Sequence, residues 1–409
     1  MINPVSMTTG ERIRYYRSRT GKTQAAVAGL VGRSEDWLSK VERGVISIDS
    51  LTMLTALARE LGLDNVADLV GPSLDLATAA GTEHPTVPAI RRALNTPPSL
   101  LGLGLPGEAL SAEQLAERVA ETWEVYETQT RRYEPVGQML PGLLAEAYST
   151  LRQTSGADDL TATRALVSLL HLHQVFLRRV GERKLSLRAA DRAMHLADET
   201  GDPALIAAAA WNVCGILTSS GEVADSLDLA RATIAHCRPG PDATPEHLSA
   251  YGALHLAAVI AAVRDSKAPA AWDLLREADG VAARLGRDGN LLHTSFGPTN
   301  VSMHGVHLAA EEGDVTEALR LADDVTIPAD GVLPLERTTR YLVEVMHANR
   351  LAGDQYGTLH MLREIRNVSP EEIKYFPLVR EALQALLRRP RPHMQAELHS
   401  IAQHVGVLA

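Results

Sequence analysis

The chain has 409 residues, 45% of them hydrophobic and 22% charged, with a formal net charge of −10. That length allows two or three domains with a sizeable core, and the balance is that of a globular protein rather than a disordered or fibrous one. Aromatic residues make up only 4% while Ala and Leu abound, which favours helices over sheets.

The first informative stretch is Gly29–Gly44, GLVGRSEDWLSKVERG. Gly32 can take the positive φ of a sharp turn, and Ser34 follows as an N-cap for the next helix. Leu38 and Val41 give that helix an apolar stripe, and Gly44 suits its C′ position. Just upstream, Thr23 caps a helix carrying Gln24, Val27, Ala28 and Val31. Two short helices joined by a Gly turn form a helix-turn-helix, whose second helix enters the DNA major groove.

The run T-Q-A-A-V-A-x₃-G-x-S-x₃-L-S-x-V-E-R-G resembles the lambda-repressor/XRE-type helix-turn-helix. Around it lie a first helix, ERIRYYRSRTG, and an amphipathic fourth, ISIDSLTMLTALARELG, with Leu51, Leu54, Ala58 and Leu61 on one face. A short fifth helix, Asn65–Val70, completes a five-helix domain over residues 1–71. The resemblance implies double-stranded DNA as partner. It places Gln24 on a phosphate, Arg33 and Arg43 on the DNA backbone, and Ser34, Glu35, Asp36, Ser39 and Lys40 at the DNA-facing end. It also implies a buried Arg17–Glu42 ion pair tying the first helix to the recognition helix. Two carboxylates at reading positions depart from the common pattern. Glu35 and Asp36 either read a cytosine amine or merely complement the helix dipole, and the residues leave both open.

The negative total is unevenly spread. From Thr8 to Arg43 eight Lys/Arg face four acids, a surplus of four positive charges, so the acidity lies in the remainder. A basic head on an acidic body orients a protein on DNA.

Residues 72–110 are dense in Gly, Pro, Ser and Thr and read as a linker with one short helix, Ala89–Leu94, pinned by Leu100, Leu101, Leu103 and Leu105. From Ser111 the pattern is helical. One helix runs from a capping signal at Ser111 to about Arg132, and a second from about Glu134 to Thr154 with a kink at Pro141.

A repeat then appears. Gly181-Glu-Arg-Lys-Leu-Ser-Leu187 matches Gly221-Glu-Val-Ala-Asp-Ser-Leu227, Gly313-Asp-Val-Thr-Glu-Ala-Leu319 and Gly353-Asp-Gln-Tyr-Gly-Thr-Leu359, with a decayed copy at Ser266–Trp272. Each unit predicts a helical hairpin: the Gly ends helix A, the acid caps helix B, and the small residue plus Leu begin the face that packs on A. A period of 40 to 47 residues predicts a stacked α-solenoid over 111–389, followed by a tail, 390–409, with a short helix at His393–His404. The G-[DE]-x₃-[small]-L signature resembles the tetratricopeptide repeat, although these units exceed its usual ~34 residues. Head and solenoid together resemble in outline the RRNPP-type peptide-sensing regulators. The expected fold class is therefore all-α: a lambda-repressor-like domain followed by a tetratricopeptide-like solenoid.

In that repeat family the inward residues lie thirteen, ten, six and three before the Gly. Counting back picks out His171 and Arg178, Trp211 and Gly215, Asn300, Met303 and His307, and Arg340 and His347. His171, Trp211, Asn300, Met303, His307, Arg340 and His347 are the candidate contacts for a small-molecule or peptide effector. The bland alternative makes Trp211 and Met303 core and the histidines solvated.

No metal site is expected, because the histidines lack converging carboxylates or thiolates, and no phosphate loop or Ser elbow points to an enzyme or a cofactor. Cys214 and Cys237 are the only cysteines, and no stretch reaches the ~20 uninterrupted apolar residues of a membrane span, so a reducing cytoplasm is expected. The expectation is a homodimeric, effector-sensing transcriptional regulator. Its rival is a protein-interaction adaptor acting through the solenoid.

Overall fold

The computed structural model describes residues 7–46, 48, 51–63, 67–70, 84–103, 110–265, 267–329, 331–388 and 390–408. Among them every regular element is helical. Much of the expected linker, 72–83 and 104–109, and the expected start of the fifth helix lie outside the described residues, as does Ser266 of the decayed repeat.

The head comprises α1 (Thr9–Thr20), α2 (Gln24–Leu30), α3 (Glu35–Glu42), α4 (Leu51–Glu60) and α5 (Ala67–Val70). Thr8 opens α1 with a reciprocal capping box to Glu11, and Thr23 and Ser34 cap α2 and α3 through the amides of Ala26 and Trp37. Gly32 takes φ +70° between α2 and α3, so the turn has the left-handed residue its sharpness requires. The apolar faces of these helices meet in one small core of Ile13, Val27, Leu38, Val41, Leu57 and Leu69.

The body is a run of antiparallel helix pairs: α7 (Ala112–Thr128) with α8 (Tyr133–Leu151), α9 (Ala157–Arg179) with α10 (Arg183–Thr200), and α11 (Pro203–Ser220) with α12 (Val223–His236). It continues with α13 (Pro245–Arg264) and α14 (Ala268–Leu285), α15 (Pro298–Glu312) and α16 (Val315–Asp324), and α17 (Leu335–Ala352) and α18 (Gln355–Val368). The stack closes with α19 (Pro377–Arg388) and α20 (Gln395–Val405). α7 ends at Thr128, four residues before the expected Arg132, and Pro141 lies inside α8. One core runs from α6 (Val87–Asn95) to α15, and a second fills the space among α17 to α20. α6, within the expected linker, belongs to the first: Val87, Ile90 and Leu94 are fully buried against α8 and α10.

All four repeat glycines adopt positive φ at the turn between paired helices. The capping half of the repeat needs correction. Asp314 and Asp354 accept backbone amides of α16 and α18, but Glu182 and Glu222 make no such bond. The extra methylene carries the Glu carboxylate past the first amides, and Glu182 turns to Arg91 at 3.5 Å.

Helices Pro203–Ser220 and Pro245–Arg264 have the length and composition of membrane spans, but 56% and 78% of those windows is buried inside the fold. They are its central pair, and their small residues let neighbouring helices approach. Gly252 on α13 touches the Phe296 ring so closely that a Cβ there would sit 2.0 Å from it.

The two ends of the stack meet across its inner side. Arg132, between α7 and α8, donates from Nη2 to Glu372 Oε2 at 2.5 Å, with both side chains only 1% exposed. Its backbone amide donates to Glu371 at 3.2 Å. Arg179 at the end of α9 pairs with Glu336 at the start of α17, which also accepts from the Tyr126 hydroxyl at 3.4 Å.

Candidate nucleic-acid interface and inner groove

The recognition helix α3 is held by the head's own ion pair. Arg17 donates from Nε and Nη2 to the two carboxylate oxygens of Glu42 at 2.5 and 2.8 Å, and from Nη1 to the Lys22 carbonyl at 3.0 Å. Glu42 is buried, so this fork sets the angle between α1 and α3 more than it adds net stability. Gln24 donates from Nε2 to the same carboxylate at 2.8 Å, so in this state its amide is engaged inside the head.

On the outer side of α3, Ser34, Glu35, Asp36 and Arg43 are exposed, while Ser39 and Lys40 are half-buried. Ser34 is committed to capping. Asp36 and Lys40, one turn apart, pair at 2.9 Å, so the one lysine of the helix is shielded by a carboxylate beside it. Arg43 Nε donates to the Ser39 carbonyl at 3.3 Å, leaving most of its guanidinium to solvent.

Arg33 is placed differently from its expected role on the DNA backbone. It turns away from the exposed face, lies 5.7 Å from the Trp37 ring centre and donates from Nη2 to the Gly221 carbonyl at 2.9 Å. Burial and the nearby Arg264 push its guanidinium below the ordinary arginine range, with Asp265 pulling the other way. The rest of the seam follows the same edge of the body. Val45 packs beside Gly313, its carbonyl bonds to His347 Nε2 at 3.0 Å, and Arg350 donates to the Gly44 carbonyl at 2.9 Å. Arg388 reaches Glu11 at 3.5 Å. Gly221, Gly313 and the last turn of α17 are the C-terminal ends of three first helices, α11, α15 and α17. Their free carbonyls carry partial negative charge, which suits docking of a basic head.

Of the expected effector contacts, His347 is thus part of the seam with the head. Met303 is fully enclosed with Val306, Leu333 and Tyr341, so its place is in the core. His171 is buried, its Nε2 without a partner, and burial with His293 nearby pushes it down to about 3. Asn300 is also buried, bridging the Ser295 carbonyl at 2.7 Å and Arg337 Nε at 2.5 Å. His307 stands between Glu311 and Glu344 at 3.5 and 3.3 Å. Trp211 is half-buried against the main core, and Arg340 is exposed on α17.

The inner face also carries residues that repeat counting misses. Trp123 stacks on His293 with ring centres 3.7 Å apart, and Glu127 holds His293 and Asn290 at 2.8 and 2.7 Å. Arg132, Arg179, Glu336 and Glu372 form the ionic bridge described above. They come from helix ends and connections outside the repeat register, so no periodic signal marks them. No group of three or more His, Cys, Asp or Glu side chains able to hold a metal is found among the described residues.

Comparison with known families agrees with the geometry of the head: a family model described as a helix-turn-helix domain matches residues 9–69. No match was found among curated proteins. Among solved structures the chain is similar to BtubC (BKLC) from P. vanneervenii at 12% identity, covering 68% of this chain and 94% of that one, with a TM-score of 0.38. At that score the likeness carries no weight for fold or function.

Proposed function

We propose that the chain is a sequence-specific transcriptional regulator, dimeric on an inverted repeat, whose helical body senses a small molecule or peptide. DNA binding by the head is supported by the helix-turn-helix match over 9–69 and by an exposed recognition helix with Arg43 at its end. One recognition helix covers too few base pairs for tight binding, so two heads spaced about one helical turn apart are needed. A regulator of this kind works on DNA inside the cell, and neither catalysis nor a cofactor is part of this reading.

The observation that carries the sensing half is the seam. Because Arg33, Gly44 and Val45 are held by the ends of α11 and α17, which lie far apart in the stack, a change in solenoid curvature repositions the recognition helix. An effector can do this only through differential affinity for two curvatures, and coupling of about 1–3 kcal/mol would change DNA affinity about 5- to 150-fold.

Genome-wide DNA capture with the full-length protein tests the reading. A palindromic motif with half-sites one turn apart supports it. No sequence preference at any salt concentration rejects it in favour of an adaptor that acts through the solenoid.

A further inference from the structure

Four guanidinium groups gather where the end of α9 faces the start of α17: Arg178, Arg179, Arg337 and Arg340. Three carboxylates lie among them: Glu336, Glu344 and Glu372, the last 3.4 Å from Arg179 Nε and held mainly by Arg132. Glu336 takes Arg179 and the Tyr126 hydroxyl, while Glu344 faces His307 at 3.3 Å. Arg337 spends its Nε on Asn300, and its buried Nη1 has no partner. Arg178 makes neither a hydrogen bond nor an ion pair with any described residue, although it lies across the inner face. Its Nη1 rests over Gly215 of α11, where a Cβ would come within 2.8 Å. Burial, with Arg179 and Arg340 beside it, pushes Arg178 down to about 10 against the pull of Glu336. With Arg132 counted, five guanidinium groups face three carboxylates, and a surplus of two positive charges at a partly desolvated site is costly unless an anion joins them.

We infer that Arg178, Arg337 and Arg340 form a receptor for a compact oxyanion, the phosphate or carboxylate group of a small-molecule effector. Guanidinium groups match such oxyanions through paired N–H donors, and charge-assisted bonds of this kind are the strong ones. The position deepens the sensing role proposed above and rests on it. An oxyanion here would compete with Glu336 for the cations of α9. It would thereby loosen or tighten the bridge between the two ends of the stack.

The test uses the full-length protein without DNA. Inorganic phosphate and malonate are titrated separately by calorimetry and by thermal melting, at ionic strength held constant with chloride. One of them is expected to bind saturably, and which one does so at lower concentration tells a phosphate-bearing effector from a carboxylate-bearing one. Arg178→Gln and Arg337→Gln should each weaken that binding about tenfold or more, while Arg276→Gln on the outer surface leaves it unchanged. Removing an unpaired cation from a crowded group should also leave the ligand-free midpoint of Arg178→Gln equal or higher. If that midpoint falls, Arg340→Gln decides, and binding retained in it overturns the inference. Stabilisation that follows ionic strength alone, or equal binding by wild type and Arg178→Gln, overturns it as well. Saturable binding that leaves operator affinity unchanged would uphold the site and reject the sensor, whereas failed binding with an intact operator motif rejects the site alone.

Discussion

Arg33, at the entrance to the recognition helix, donates a 2.9 Å hydrogen bond to the carbonyl of Gly221, 188 residues along the chain. A basic side chain suited to DNA is thus bound to the end of a body helix.

The seam predicts that freeing the head alters exchange before it alters folding. Arg350→Ala removes one hydrogen bond to Gly44 and the nitrogen that approaches His347 at 3.2 Å. Amide exchange in the turn after α3 should rise while total helicity holds, because each lost bond contributes only about 0.5–1.5 kcal/mol. Unchanged exchange in that turn would show that the head does not rest on this edge in solution.

DNA affinity should respond to the pair that shields Lys40. Asp36→Asn removes a carboxylate from the DNA-facing end and releases Lys40 from its 2.9 Å contact, so binding should strengthen for all sequences and depend more steeply on salt. Lys40→Ala should instead change base preference, by about 1–3 kcal/mol at the affected pair, and Arg43→Ala should weaken every sequence alike. Quantitative gel shifts over a salt series separate the three patterns.

The buried Arg132–Glu372 pair joins the two ends of the stack. Arg132→Met alone leaves a carboxylate that is 1% exposed with only the longer contacts to Arg179 at 3.4 Å and the Ser369 hydroxyl at 3.3 Å, and should cost about 3 kcal/mol in denaturant unfolding. The double variant Arg132→Met with Glu372→Leu should recover most of that loss. A double variant as weak as the single one would show that the pair's bonds, rather than the stranded charge, hold the ends together.

Acid should destabilise the protein in a defined window. Burial pushes His171 and His304 down to about 3, and His173, His255 and His347 down to about 4. Their folded values lie below the unfolded value of about 6.5, so the unfolded chain binds more protons as pH falls. Stability is therefore fully present above about pH 6.5 and falls progressively toward pH 4. Thermal melts over that range should show the midpoint dropping, and His347→Gln, which keeps a donor for Val45, should flatten part of the slope. A midpoint that stays constant from pH 7 to 5 would contradict the burial of these rings.

What the sequence determined by itself is local and periodic. The turn at Gly32 and the caps at Thr23 and Ser34 depend on residues close in the chain, so they are legible without a structure, and the Arg17–Glu42 tie is legible through the family resemblance. The four repeat glycines are legible for the same reason, since each ends a helix wherever the hairpin sits. The tertiary structure alone decided how the units meet. Repeat counting cannot tell that His347 faces the Val45 carbonyl, that Met303 is sealed in a core, or that Arg33 bonds Gly221, because each depends on how the solenoid curves and where the head lands. Nor can it find Arg132 with Glu372, 240 residues apart, since only the curvature accumulated over the stack brings its ends together. Curvature is the sum of many small rotations between neighbouring helix pairs, set by side-chain volumes at every interface, and no single motif encodes it.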